Sequence, residues 1–216
     1  MDKIKSLTGM LDLYDDGDNS LLPAKLFYLE EKIKHIFKSY KLNEIRTPVL
    51  EDANLFIRSV GGASDIVNKE IYSFNDRNDK GIALRPEGTA SVIRSIVEKK
   101  LDQSNHKLWY LGPMWRYERP QKGRYRQFNQ AGVEILGIPE GMPEFEMISI
   151  VCSIITEFNL ENCTIKINHL GNQKSKESFC NALIDFLEPH KKLLDEKDNH
   201  RLEKKPLRGI YSKTTN

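Results

Sequence analysis

The segment WRYERPQKGRYRQFNQAGVEILG, residues 115–137, constrains the fold more than any other part of the chain. It belongs to two runs of alternating character, 107–118 and 126–137, joined by a strongly basic turn. Alternation with a period of two predicts strands, and the short connection predicts a hairpin. Successive side chains on a strand point to opposite faces. In the first run Trp109, Leu111 and Trp115 then share an apolar face, and Tyr110, Met114, Arg116 and Glu118 share the other. In the second run Ala131, Val133 and Ile135 form the packing face, opposite Arg126, Phe128, Gln130, Gly132, Glu134 and Leu136. A hairpin that aligns the two polar faces brings Arg116 onto the row of Gln130 and Glu134.

Those residue types suit a ligand with two kinds of charge. The Arg116 guanidinium is a fork for phosphate or carboxylate. Glu134 attracts an ammonium group, and Gln130 both donates and accepts. Phe128 offers a flat surface on which a base can stack, and Gly132 leaves room for a ligand near the backbone. The loop 116–126 holds five basic residues, Arg116, Arg119, Lys122, Arg124 and Arg126, against one acid, Glu118. Taken alone, a charged strand face or a basic turn is as well explained by solvation; the conjunction carries the functional reading. RPEGT (85–89) is a second candidate, where a strand hands over to a helix. Glu87 can reach a ligand amine, and Thr89 lies at a helix N-terminus suited to polar groups. The plainer alternative is a helix cap plus a surface acid.

The remaining periodicities predict an α+β chain with an antiparallel sheet. Residues 23–40 read as an amphipathic helix with Leu22, Leu26, Leu29, Ile33, Ile36, Phe37 and Tyr40 on one stripe. Residues 44–51 read as a strand that Pro48 forces to an edge or to a break. Residues 71–76 and 81–87 read as a hairpin. Residues 88–101 read as a helix with Val92, Ile93, Ile96, Val97 and Leu101 inward and Thr89 as cap. A helix over 143–158 points Ile148, Val151, Cys152 and Ile155 inward, a strand covers 163–171, and a helix over 175–190 stops near Pro189. From Lys191 the chain is charged and weakly periodic, so 1–190 reads as the core and 191–216 as an extension.

At 216 residues, with 39% hydrophobic and 30% charged residues, the chain can bury a core without covalent staples. A net charge of +2 does not by itself mark a nucleic-acid binder. Cys152, Cys163 and Cys180 form no CxxC pair, and His35, His106, His169, His190 and His200 lack metal-ligand spacing. No metal site, disulfide framework, secretory leader or membrane span is expected, and a reducing cytoplasm fits best. No GxxxxGK[ST] loop is present.

RPEGT at 85–89, LWYLGPMWRYERPQKGRYRQFNQAGVEILG at 108–137 and EIRTPVLEDANLF at 44–56 resemble histidyl-tRNA synthetases, which are class II aminoacyl-tRNA synthetases. The likeness continues through INHLGNQKSKESFCNALIDFLEPHKKLLDE (167–196) to PLR (206–208). It implies a class II antiparallel sheet flanked by helices, incomplete on its C-terminal side. Residues 24–56 match the dimer-forming motif 1, with Pro48, and 108–137 match motif 2. By resemblance Arg116 is the catalytic arginine on the ATP α-phosphate. Glu118 and Phe128 contact adenine, and Arg124 the triphosphate. Glu87, Gly88, Thr89, Gln130 and Glu134 hold histidine. Arg119, Gln121 and Lys122 meet the acceptor end of tRNA(His), Gln121 at its terminal base pair. The implied reaction is ATP-dependent formation of histidyl-adenylate and transfer to tRNA, with Mg²⁺ on the phosphates, in a homodimer.

The family has His where Tyr117 and Asn129 stand, both on the face turned away from the expected ligand, and Arg near Thr8. The chain stops before the family's RGLDYY-like segment, motif 3 and the anticodon-binding domain. A truncated fragment with little activity alone is therefore expected. Two other readings stand beside it: a regulatory subunit of the ATP phosphoribosyltransferase type, and a dimerisation module that keeps only motif 1. Intact Arg116, Glu118 and ERPQKGRYRQF disfavour the regulatory reading.

Overall fold

Two ten-residue strands, β5 (His106–Trp115) and β6 (Gln127–Leu136), form the long hairpin on which the molecule is built. They pair antiparallel from His106↔Leu136 to Trp115↔Gln127. The structure is a computed structural model and describes residues 3–14, 23–60, 70–119, 121–168, 171–193 and 199. It divides into two compact units, Met1–Asn162 and Cys163–Asn216.

In the first unit α1 (Pro23–Ser39) leads to β1 (Asn43–Glu44), then β2 (Leu50–Asp52) and α2 (Ala53–Val60). The hairpin β3 (Ser73–Asn75) and β4 (Gly81–Leu84) runs into α3 (Thr89–Glu98), and α4 (Met142–Glu157) follows β6. The strands make two three-stranded sheets, in the orders β1-β5-β6 and β2-β4-β3. The expected strand at 44–51 breaks before Pro48, and its two pieces join different sheets: β1 pairs with β5 and β2 with β4. A proline without an N–H cannot continue a ladder, so the break falls where the sequence demands. The β1–β5 pair is parallel, the one departure from antiparallel pairing among the described strands.

Both faces of β5 are covered, whereas β6 at the edge has no buried residue and Ala131, expected on its packing face, is exposed. Trp109, 2% exposed, packs with Ile36 and Phe37 of α1, Leu42 just before β1 and Ile150 of α4. Its ring lies 5.5 Å from that of Phe37. On the other face Leu108, Tyr110 and Met114 pack with Val92 and Ile96 of α3. Burial of each such side chain contributes about 1.5–3 kcal/mol. The second sheet closes over Phe56, Ala83 and Ala90. Arg94 of α3 donates to Glu51 of β2 at 2.7 Å, which ties that sheet to the helix.

Three expected stripes shift. In α3 Val92 and Ile96 are buried, whereas Ile93 and Val97 are exposed, as is Leu101, which lies beyond the helix end at Glu98. In α1 Ile36 and Phe37 are buried, Leu29 is exposed, and Leu22 lies outside the described residues. In α4 the buried residue is Ile150, with Ile154 packed beside it, while Val151 and Cys152 are exposed. MISIVCSII is apolar almost all round, so periodicity leaves the rotation of α4 undetermined.

In the second unit α5 (Gln173–Leu187) is capped by Asn172, whose side chain accepts from the Ser175 N–H at 2.9 Å, and a 3₁₀ turn follows at Glu188–Leu193. The strand expected at 163–171 does not form over residues 163–168. A strand needs a neighbour to take its ladder hydrogen bonds. Nearly all of the charged extension from Lys191 lies outside the described residues, as does Gly61-Gly62.

Candidate active site

The hairpin register places Met114 opposite Phe128, Gly112 opposite Gln130, Tyr110 opposite Gly132 and Leu108 opposite Glu134. Opposed residues of an antiparallel pair share a face. The Arg116 N–H donates to the Arg126 carbonyl at 2.9 Å, which extends that register one step further. Arg116, Phe128, Gln130 and Glu134 therefore lie along one side of the sheet, as the alternation predicts.

Residues 86–89 cross that side and join its two ends. Arg116 Nε donates to the Pro86 carbonyl at 2.8 Å. Thr89 Oγ1 donates to Glu134 Oε1 at 2.6 Å. Between them Glu87 turns back on its own chain and accepts from the N–H groups of Thr89, at 2.6 Å, and Ala90, at 2.9 Å. Glu87, not Thr89, thus satisfies the first turn of α3, and its negative charge suits the helix N-terminus. The alternative of a Thr89 cap with Glu87 as a surface acid is corrected: Glu87 is half-buried and does the capping, and it also lines a cavity of about 900 Å³ together with Thr89, Leu55, Ile93 and Val97.

Tyr110 is the site residue that sequence reasoning missed. Its ring fills the slot between Gly88 and Gly132; a Cβ added to either glycine would fall within the ring. Gly132 makes room for Tyr110 and not, as expected, for a ligand at the backbone. The pairing of a large ring with a directly opposed glycine was readable only once the register was known. Burial pushes the Tyr110 hydroxyl above its ordinary pKa, against the pull of Thr89, and the nearby charges of Glu134 and Glu87 add to the rise. Burial likewise raises the Glu134 carboxyl; the Thr89 hydrogen bond opposes this and the Glu87 charge reinforces it. The end of the sheet face around Glu134 and Glu87 is thus acidic and partly dry, a setting that favours a cationic guest. Gln130 Oε1 is buried without a partner, an acceptor awaiting a donor.

The other end of the face is cationic. The Arg116 guanidinium carbon sits 5.2 Å from the centre of the Phe128 ring. Glu118 is largely buried between two arginines, 3.9 Å from Arg116 NH1 and 3.2 Å from Arg124 NH1. Arg124 bridges back to Gln121 at the tip of the loop, where Gly123 takes φ +80°. Arg119, Gln121, Lys122 and Arg124 are exposed. They form an exposed basic tip beyond the Arg116–Phe128 stack, with Arg124 paired to Glu118. Tyr117 packs edge-on to Tyr72, and Asn129 reaches Glu30 of α1 at 3.2 Å.

A family model described as Histidyl-tRNA synthetase matches residues 22–204. The chain belongs to the histidyl-tRNA synthetase family. It is 45% identical over 202 residues to a histidine--tRNA ligase of Microcystis aeruginosa, covering 91% of this chain and 47% of that protein. The ligase of Limosilactobacillus fermentum is 45% identical over 190 residues, 86% of this chain and 44% of that one. Apo S. aureus histidyl-tRNA synthetase superposes with a TM-score of 0.70 at 33% identity, over 93% of this chain and 48% of the other. A Bacillus halodurans C protein titled as an ATP phosphoribosyltransferase regulatory subunit/histidyl-tRNA synthetase shares the fold, with a TM-score of 0.66 at 20% identity over 94% and 56%. This synthetase-family chain spans about half the length of the curated relatives it matches.

Proposed function

We propose that this chain takes part in histidine–tRNA ligation, the ATP-dependent activation of histidine followed by transfer to tRNA(His). The observation that carries it is the single sheet face with a stacked arginine at one end and a half-buried carboxylate at the other, joined by residues 86–89. Nucleotide and amino acid then lie side by side. Arg116 takes the α-phosphate, adenine stacks at Phe128 beside Glu118, and Arg124 meets the triphosphate. Glu134, Gln130 and Thr89 receive histidine, with Glu87 and Gly88 shaping the same pocket. Arg119, Gln121 and Lys122 face the acceptor end of the tRNA.

The histidine carboxylate attacks the α-phosphorus and pyrophosphate leaves. The carboxylate is already ionised, so no strong base is needed, and the rate rests on positioning and on the Arg116 charge. Among the described residues no three His, Cys, Asp or Glu side chains gather as a metal cage. The same reading has Mg²⁺ arrive on the ATP phosphates, where it would supply charge neutralisation. Homodimerisation through 24–56 and a cytoplasmic location belong to the same reading. No helix among the described residues is long and apolar enough to cross a membrane. The regulatory-subunit alternative meets a 20% identical neighbour, whose likeness speaks to fold alone; the dimerisation module leaves the polar face unexplained.

Calorimetry with histidine and ATP, coupled to gel filtration, tests the reading. Binding of both ligands to a dimer is expected. A dimer that binds neither supports the module alternative and ends the ligase proposal for this chain.

A further inference from the structure

The Gly9 carbonyl accepts from two consecutive amides at the start of β6, Arg126 N at 2.7 Å and Gln127 N at 3.3 Å. Gly9 lies outside residues 22–204, the span of the family match, while both of its partners lie inside it. We propose that Gly9 is a positioning residue for the nucleotide half of the site, an inference that rests on the ligase reading above. Residues 3–14 are otherwise mostly exposed. Met10 N donates to the Leu7 carbonyl at 3.0 Å, and Gly9 takes φ +79°, the geometry of a turn whose third residue must be left-handed. A Cβ at Gly9 would stand 3.0 Å from Arg126 Cγ and 3.2 Å from Arg126 N. Glycine is needed twice there, for the turn and for the approach.

What Gly9 holds is the return arm of the basic loop. The Arg126 peptide is gripped on both sides: its N–H by Gly9, and its carbonyl by the Arg116 N–H at 2.9 Å. Its side chain then pins the outgoing arm, with Nε donating to the Glu118 carbonyl at 3.2 Å and the guanidinium carbon 4.0 Å from the centre of the Tyr117 ring. Two residues on, Phe128 stacks on Arg116. Leu11 and Leu13 of the same segment line a cavity of about 240 Å³ with Tyr125 and Phe128. Arg116 and Glu118 are thus each hydrogen-bonded to Arg126, and Phe128 stands two residues from it, so the proposed nucleotide contacts share the peptide that Gly9 fixes. Glu87, Thr89 and Glu134 are held by their own hydrogen bonds and do not depend on it.

The test compares the wild-type chain with Gly9→Ala and with a deletion of residues 1–14, which removes the acceptor without adding a Cβ. Hydrogen exchange at the Arg126 and Gln127 amides should quicken by about tenfold in both variants, while the Trp109 and Tyr110 amides keep their rates. ATP affinity should fall by about tenfold, the scale on which small misplacements act, with histidine affinity within about twofold of wild type. Unchanged exchange at Arg126 overturns the proposal, whatever the ligands do. Equal loss of ATP and histidine binding overturns it too, because Gly9 is then only a support of the whole fold. A wild-type chain that binds neither ligand defeats the ligase reading and the nucleotide role of Gly9 with it. The exchange data then separately report whether Gly9 holds the loop.

Discussion

Thr89 Oγ1 and Glu134 Oε1 lie 2.6 Å apart and join the first turn of α3 to β6 across 45 residues of sequence. The Glu134 carboxyl titrates above its ordinary 4.5, chiefly because it is half-buried. A carboxyl that holds its proton more tightly when folded destabilises the fold as pH rises: the penalty is absent below the unfolded pKa and complete above the folded one. Glu134→Gln removes that penalty while keeping an oxygen that accepts from Thr89. The melting temperature of the variant relative to wild type should therefore be more favourable at about pH 7 than at about pH 4. A difference that does not move with pH removes the desolvated carboxylate from the account. The same variant should bind histidine more weakly.

Arg116→Ala should cost roughly 2.7–4 kcal/mol in adenylation, about 10²–10³ in rate, by analogy with the loss of one preorganised donor. ATP–pyrophosphate exchange measures it, in a chimera completed with the remaining half of a relative. Arg116 also donates to Pro86, so melting of the variant chain is needed alongside. A loss of under about threefold in exchange counts against its catalytic role.

The hairpin was legible because its alternation is long, and the break near Pro48 because proline carries its own rule. The polar face followed from the period alone. Contacts set by other parts of the chain were not legible. Nothing local shows that Gly132 sits under Tyr110, that Glu87 spends its carboxylate on its own helix, or that Gly9 reaches Arg126 across 117 positions. The rotation of α4 failed for the opposite reason, an excess of apolar residues that fits several phases.

Gly132→Ala should destabilise the chain by about 1–3 kcal/mol, the scale of overpacking a filled core. The added methyl falls within the Tyr110 ring, which Gly88 blocks from the other side. If that is the cause, Gly132→Ala combined with Tyr110→Ala should lose less than the sum of the two single changes. Urea denaturation of the four proteins completes the cycle. Strict additivity would falsify the slot as the reason for glycine at 132.

Arg85 is 8% exposed and bridges three segments: Nε donates to the Pro113 carbonyl at 3.1 Å, and NH1 to the Thr47 carbonyl at 2.9 Å and to Thr47 Oγ1 at 3.2 Å. Its backbone adds two links, Arg85 N to the Val49 carbonyl at 3.0 Å and Trp115 N to the Arg85 carbonyl at 3.1 Å. Burial lowers its pKa, yet a guanidinium stays charged at neutral pH. Gly112 accommodates it, since a Cβ there would meet Arg85 NH2 at 3.0 Å. Arg85→Ala strands two carbonyls and a hydroxyl, and an unsatisfied buried acceptor costs about 1–3 kcal/mol. Part of that is recovered by water, so a loss of about 2–4 kcal/mol in urea, at unchanged m, is expected. Arg85→Lys should recover less than about half, because one ammonium cannot serve Pro113 and Thr47 from the two arms of a planar fork. Full rescue by lysine would mean that charge alone matters at this position, and that the fork does not hold β4 to β5 and to the chain before Pro48.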